Sequence, residues 1–282
     1  MLARRFHHRK TKTMCAVTGL LAGLILPPAK WGLADNPDRW TDDTRATPIN
    51  VPQVTPDFRE EELKLLLTDL GVPDLNIPVD FVEMVRRWTR LYQTRDRNEI
   101  LLVLESRHRD FEVVRRQVAN ADLPPDLAFV TLVESHFQSS RRSPDDNAGL
   151  WQFTRDTARR NGLKVDAELD ERLDPRKSTE AACRYFLRLK NYLGRESSLM
   201  LVLAAYNMGP GRLEQRTRQL EDLSKRRDFW YLYRSRLLPA ITRNHMARVM
   251  AAILIGRHPQ RFGFKTATPG NMVTVTSPVP RR

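Results

Sequence analysis

The segment Leu127-Ala128-Phe129-Val130-Thr131-Leu132-Val133 constrains this chain more than any other, because its run of uncharged residues opens after Pro124-Pro125-Asp126 and closes on Glu134. Proline suits the first turn of a helix and poorly fits its middle, so the segment predicts a helix beginning near Pro125. A helix that is apolar on every side has to be covered all round, which demands several further helices. Phe81, Val85, Trp88 and Tyr92 recur at steps of four, three and four, the stripe of one amphipathic helix, and 100–118 reads as a second that pairs with it as a hairpin. Helices are also predicted at 154–161, 178–193 and 198–206, ended by Gly162, Gly194 and Gly209, with Ala181, Ala182, Tyr185, Leu189 and Tyr192 as the inner face of the middle one. A last helix at 244–256 closes before Pro259. No βαβ alternation and no Gly-rich phosphate loop interrupts this pattern, so a nucleotide-binding α/β fold is disfavoured and the fold class is mainly α.

The first 34 residues read differently. A basic start (Arg4, Arg5, Arg9, Lys10, Lys12) leads into an apolar stretch at 14–26, then Pro27-Pro28 and Gly32-Leu33-Ala34, the layout of a secretory signal peptide cleaved after Ala34. The stretch is short for a bilayer span, which takes about 20 residues, so an uncleaved anchor ranks second. Cleavage would remove those five side chains and Lys30 from a formal net charge of +13, leaving +7. A basic exported chain attracts polyanions such as cell walls and membrane surfaces. Without zinc-knuckle spacing, a basic-aromatic RNA motif or a long Lys/Arg block, nucleic acid is not an expected partner. Cys183 would be the one cysteine left, set in an apolar helical pattern that marks it as a core residue and not a catalytic thiol.

Glu134 is the ionisable end of an otherwise uncharged run. Apolar surroundings disfavour the ionised form of a carboxyl group, and a protonated carboxylic acid is what glycosidic cleavage asks for, since the departing oxygen needs a proton. Taken alone, the helix leaves open a plainer reading, a glutamate that caps the helix end or pairs with Arg141 or Arg142. Further segments follow it: Glu134-Ser135-His136-Phe137, Ser143-Pro144, Ala148-Gly149-Leu150-Trp151-Gln152-Phe153 and Ala204-Ala205-Tyr206-Asn207-Met208-Gly209-Pro210-Gly211. In order and spacing they resemble the signature of family 1 lytic transglycosylases. Between them, Asp170-Glu171-Arg172-Leu173-Asp174-Pro175 and Ser178-Thr179-Glu180-Ala181-Ala182 are similar to the connecting segment of that family's membrane-bound type D branch. The resemblance runs over roughly 78–265.

The resemblance implies a lysozyme-like (SLT) catalytic domain with an N-terminal helical hairpin and a C-terminal helical extension. The expected organisation is a signal peptide at 1–34, an extended arm or linker at 35–77, a helical extension at 78–120, the lysozyme-like domain at 121–215, a C-terminal helical extension at 216–264 and a flexible tail at 265–282. No C-terminal wall-binding LysM repeat follows Phe264, unlike the type D enzymes. The implied activity is cleavage of peptidoglycan glycan strands to 1,6-anhydro ends, with no metal and no cofactor, in the periplasm. The expected state is a monomer, with other cell-envelope proteins as further partners.

By the same resemblance, Glu134 is the lone acid and base, and Ser143 the hydrogen-bond donor to the substrate's N-acetyl group. Gln152 lines the cleft, Tyr206 lies close to the acid and Asn207 contacts substrate. Plainer readings stand beside these: Ser143 as a turn serine before Pro144, Tyr206 as a core aromatic, and Trp151 as core. Asp145, Asp146 and Asn147 depart from the family pattern. The two acids could supply a second carboxylate and a hydrolytic outcome. His136 also departs, and reads as a cleft-edge contact or a solvated side chain.

Overall fold

Helices α1 (Glu60–Asp69), α2 (Val79–Gln93), α3 (Arg97–Leu101) and α4 (His108–Ala119) precede the apolar segment, which becomes a 3-10 turn at Pro125–Ala128 and helix α5 (Phe129–Ser135). Then come α6 (Arg155–Arg160), α7 (Pro175–Leu193), α8 (Leu199–Met208), α9 (Pro210–Thr217), α10 (Leu223–Arg227), α11 (Phe229–Arg234) and α12 (Ala240–Arg257). This is a computed structural model describing residues 57–265; the expected leader at 1–34, the arm at 35–56 and the tail from 266 lie outside the described residues. Among the described residues the only β pairing is isolated bridges, at Arg142–Ala148, Ala148–Phe153 and Val165–Asp170.

Three helices are buried almost all round and form the centre. In α5, Phe129 to Val133 are all buried, as the uncharged run requires. In α8 every residue except Asn207 is buried. The third, α12, lies along α2 in the most extensive helix pairing of the fold and also packs against α5, α8 and α1. Gly256 makes the α12–α5 approach possible: a Cβ there would stand 1.9 Å from the Phe129 ring. The long helix α7 covers α8 and α4, its start set by Asp174, which accepts from the Lys177 N–H at 2.9 Å, and by Pro175 in the first turn.

Four sequence expectations change. The segment 60–69, expected within an extended arm, is helix α1, whose Leu63, Leu66 and Leu67 are fully buried. Flanking prolines and the acidic triplet Glu60-Glu61-Glu62 hide that leucine stripe in the sequence, although acids in a first turn suit the positive end of a helix. The helix expected at 100–118 is broken by a π turn at Leu102–Ser106, and α2 pairs chiefly with α12. The wider turn shifts the helical phase, so that Glu99 and Phe111 both face inward on either side of it. Tyr192, expected on the inner face of α7, is exposed and hydrogen-bonds Glu214 instead. Cys183 is buried as expected, and burial pushes its thiol up to about 11.

Candidate active site

Glu134 stands in the last turn of α5, its side chain 14% exposed. The helix stops at once, because His136 and Phe137 both adopt left-handed backbone, with φ 54° and 57°. Their N–H groups return to the carbonyls of Leu132 and Thr131, closing the helix end. Phe137 is then pinned between the Phe111 ring and the Arg107 guanidinium, which donates to the Phe137 carbonyl at 3.0 Å. Four of the six non-glycine residues with positive φ among the described residues are His136, Phe137, Asp146 and Gln152. Unfavourable backbone thus gathers around the end of the apolar helix and the loop beside it.

That loop, 141–153, is folded on a buried cation. Arg172 has no exposed side-chain surface and donates to the main-chain carbonyls of Asp146 at 2.5 Å and Phe153 at 3.0 Å. Its charge is met by Asp170, with Nε on Oδ1 and a terminal nitrogen on Oδ2, each at 2.8 Å. This hydrogen bonding holds the Asp170 carboxyl far below the usual carboxylate range, against the opposing effect of burial. Gly149 carries φ +81° directly over the same strap, where a Cβ would be 1.8 Å from the Arg172 carbonyl oxygen.

Asp146, weighed above as a second carboxylate, belongs to this scaffold. Arg155 reaches its Oδ2 at 2.5 Å, while Arg142 and Arg172 each reach Oδ1 at 3.3 Å. Burial raises its pKa, but the Arg155 hydrogen bond and the Arg172 charge outweigh that and hold it below its ordinary value. Asp145 is exposed. Arg142 also binds Asp170 at 2.7 Å, so one of the two arginines suggested as an ion-pair partner for Glu134 is engaged elsewhere. An open depression of about 770 Å³ lies beside these arginines, walled by Arg142, Arg155, Arg159, Asp166 and Asp170, and Glu134 is not part of it.

Ser143 is half-buried at the mouth of the loop, and its Oγ accepts the Asn147 N–H at 3.0 Å. The hydroxyl proton is left free by that role. Gln152 is more deeply set than a cleft-lining residue: it is buried, and its Nε2 donates to the carbonyls of Gly149 at 2.9 Å and Arg141 at 3.2 Å. It therefore ties the loop to itself. Tyr206 is fully buried in α8, stacked on Phe186 with ring centroids 4.9 Å apart, and donates to the Trp151 carbonyl at 2.6 Å. Burial first, and then the negative charge of Glu134, push its pKa well above 10. Asn207, next to it, is the one residue of α8 that is only partly buried. Trp151 is core, its indole N–H on Thr179 Oγ1 at 3.0 Å.

Sequence reasoning missed the other half of the surroundings, which comes from α2, α3 and α12. The Nε2 of His245 on α12 lies 2.9 Å from Glu134 Oε1. One turn on, Arg248 contacts Glu99 Oε2 at 3.2 Å and the Tyr92 hydroxyl at 3.1 Å, while its guanidinium sits 5.1 Å over the Trp88 ring. Glu99 in turn takes His136 Nδ1 at 2.9 Å, so His136 is anchored and not simply solvated. The neighbouring Asn244 accepts from the Trp88 indole at 2.8 Å. The sequence signal for this group was the run of polar residues Thr242 to His245, with Arg248, at the start of a helix that is apolar from Val249 to Ile255.

Part of the chain is similar to known proteins. A family model described as the transglycosylase SLT domain matches residues 114–229. Membrane-bound lytic murein transglycosylase D of Escherichia coli (strain K12) is 32% identical over 152 residues, 54% of this chain and 32% of that protein. Membrane-bound lytic murein transglycosylase F 2 of Alkalilimnicola ehrlichii is 32% identical over 129 residues, 44% of this chain and 27% of the relative. A putative tributyltin chloride resistance protein of Alteromonas sp. (strain M-1) is 33% identical over 99 residues, covering 34% of this chain and 46% of its own. The chain thus spans about a third of the length of the lytic transglycosylases it matches. Residues 114–229, which hold Glu134 and the Arg172-braced loop, are the part of the chain that matches the transglycosylase SLT domain family.

Proposed function

We propose that this protein is a peptidoglycan lytic transglycosylase, with Glu134 acting first as acid and then as base. The observation that carries the reading is the setting of that one carboxyl. Glu134 ends a buried helix and is gripped by a histidine, while the acids of the adjoining loop are spoken for by arginines or exposed. Two carboxyl groups are the usual equipment of a glycosidase. Here the substrate supplies the remainder. Glu134 gives its proton to the glycosidic oxygen as the bond from the N-acetylmuramic acid anomeric carbon breaks, and the N-acetyl group, oriented by the Ser143 hydroxyl, stabilises that carbon. The resulting carboxylate takes the proton of the same sugar's C6 hydroxyl, whose oxygen closes on the anomeric carbon. The acid is regenerated, no water is consumed, and the product ends in a 1,6-anhydro sugar.

Tyr206 and Asn207 stand near the C-terminal end of α8, with Asn207 as the substrate contact and Tyr206 holding the Trp151 carbonyl of the loop. Residual basic charge favours association with the anionic wall, and the signal-like leader directs the chain to the periplasm. Digestion of isolated sacculi by residues 35–282, followed by mass spectrometry, tests the reading. Muropeptides lighter by one water support it, and reducing ends would instead make the protein a muramidase.

A further inference from the structure

The residue closest to Glu134 in chemical terms lies outside the segment that carries the family match. His245 is sixteen positions beyond residue 229, where the matched residues end, so nothing in the matched domain supplies it. Its Nε2 is 2.9 Å from Glu134 Oε1, and the two side chains are 11% and 14% exposed. The other ring nitrogen, Nδ1, is buried with no hydrogen-bond partner. A proton on Nδ1 would be an unsatisfied buried donor, whereas a proton on Nε2 meets a carboxyl oxygen that can accept it.

The ring is also held from behind. His245 belongs to α12, which is buried nearly all round, and its neighbours on that helix are fixed to other elements: Asn244 to Trp88, and Arg248 to Tyr92 and Glu99. Glu99 holds His136, the residue that ends the catalytic helix in left-handed backbone. The C-terminal helix therefore grips α5 at two points two residues apart, directly at Glu134 and through Glu99 at His136. Helix α12 itself is seated on α5 through Gly256 and Phe129, so the grip has a fixed base.

We propose that His245 is the positioning residue of this site: its Nε2–H donates to Oε1 of Glu134 and fixes the carboxyl so that Oε2 alone gives and retakes the proton. The donation holds through both steps. With Glu134 protonated on Oε2, Oε1 is a carbonyl oxygen that accepts; with Glu134 ionised, Oε1 shares the charge and accepts more strongly. A carboxyl free to rotate would present its proton in the wrong place for part of the time, and small misplacements at a reacting centre lower rates steeply.

This inference rests on Glu134 being the acid of the preceding section. Steady-state turnover of soluble glycan strands is measured for the wild-type chain, His245→Ala, His245→Phe and His245→Gln, with thermal unfolding of each. The Ala and Phe variants are expected to lose kcat about ten- to a hundredfold with KM nearly unchanged. The Gln variant, whose amide N–H falls where Nε2 stood, recovers most of that loss. If Ala unfolds the protein, Phe keeps the volume without the donor and carries the comparison. Wild-type kcat in a folded Ala or Phe variant, or a Gln variant as slow as Phe, overturns the proposal. Either result leaves the acid role of Glu134 standing, which the activity of Glu134→Gln tests on its own.

Discussion

Arg172 and Asp146 meet through both main chain and side chain: one guanidinium nitrogen donates to the Asp146 carbonyl at 2.5 Å and another reaches Oδ1 at 3.3 Å. Asp146 is thereby a structural acid. Its side chain remains substantially exposed, so its ion pairs are screened and each is worth at most about 1 kcal/mol. Asp146→Asn should accordingly keep its rate within about fivefold of wild type and give the same products. A fall of several hundredfold, measured by release of soluble muropeptides, would restore Asp146 as a second catalytic carboxylate.

Asp170 is the partner that the buried arginine cannot lose. Removing one member of a buried pair leaves an uncompensated charge, so Asp170→Ala should destabilise the fold by about 3–5 kcal/mol in denaturant unfolding near neutral pH. The Asp170 pKa is lowered in the folded chain, so its contribution is present above the unfolded carboxylate value of about 4 and is lost as pH falls below it. The gap between wild type and variant should narrow on acidification below that value. A gap that stayed constant down to strongly acid pH would contradict this account of Asp170.

Gly149→Ala sets a Cβ against the Arg172 carbonyl at 1.8 Å while also requiring φ +81° of an alanine. Both effects act on the loop that carries Ser143 and Gln152. We expect a loss of roughly 2–4 kcal/mol in stability and a drop in activity larger than the unfolded fraction explains. Unfolding curves measured beside turnover check this, and an unchanged melting temperature would contradict it.

Tyr206→Phe removes the hydrogen bond to the Trp151 carbonyl but keeps the ring stacked on Phe186. The expected stability loss is about 1–2 kcal/mol, since a buried carbonyl loses its donor. Turnover should fall by more than tenfold, because the phenol also lies within the field of Glu134. Equal rates in the two proteins would reduce Tyr206 to a core aromatic.

The sequence showed the parts of this site that are local. An uncharged run ending in Glu134, glycine at a close approach, and a Tyr-Asn pair at the end of an apolar helix are each visible within a few residues, and the structure places them on α5, the loop and α8. What stayed hidden was contact across long separations. His245 is 111 residues from Glu134, and a lone histidine on a distant helix carries no mark of the carboxyl it meets. Helix α1 was lost among prolines and glutamates because a three-leucine stripe is short for a periodicity argument. For Gln152 the family resemblance implies a place lining the cleft; positive φ and two backbone acceptors tie its Nε2 into the loop, a result of turn geometry that the sequence pattern does not reveal.

The central claim is that one carboxyl performs both proton transfers. Glu134→Gln keeps the volume and the hydrogen-bonding capacity toward His245 while removing the transferable proton. Purified wild-type and Glu134→Gln chains, incubated with sacculi and followed by mass spectrometry, test it most directly. The account predicts 1,6-anhydro muropeptides from wild type and none from a variant whose melting temperature is nearly unchanged. Anhydro products at more than a few per cent of the wild-type rate from folded Glu134→Gln would contradict it.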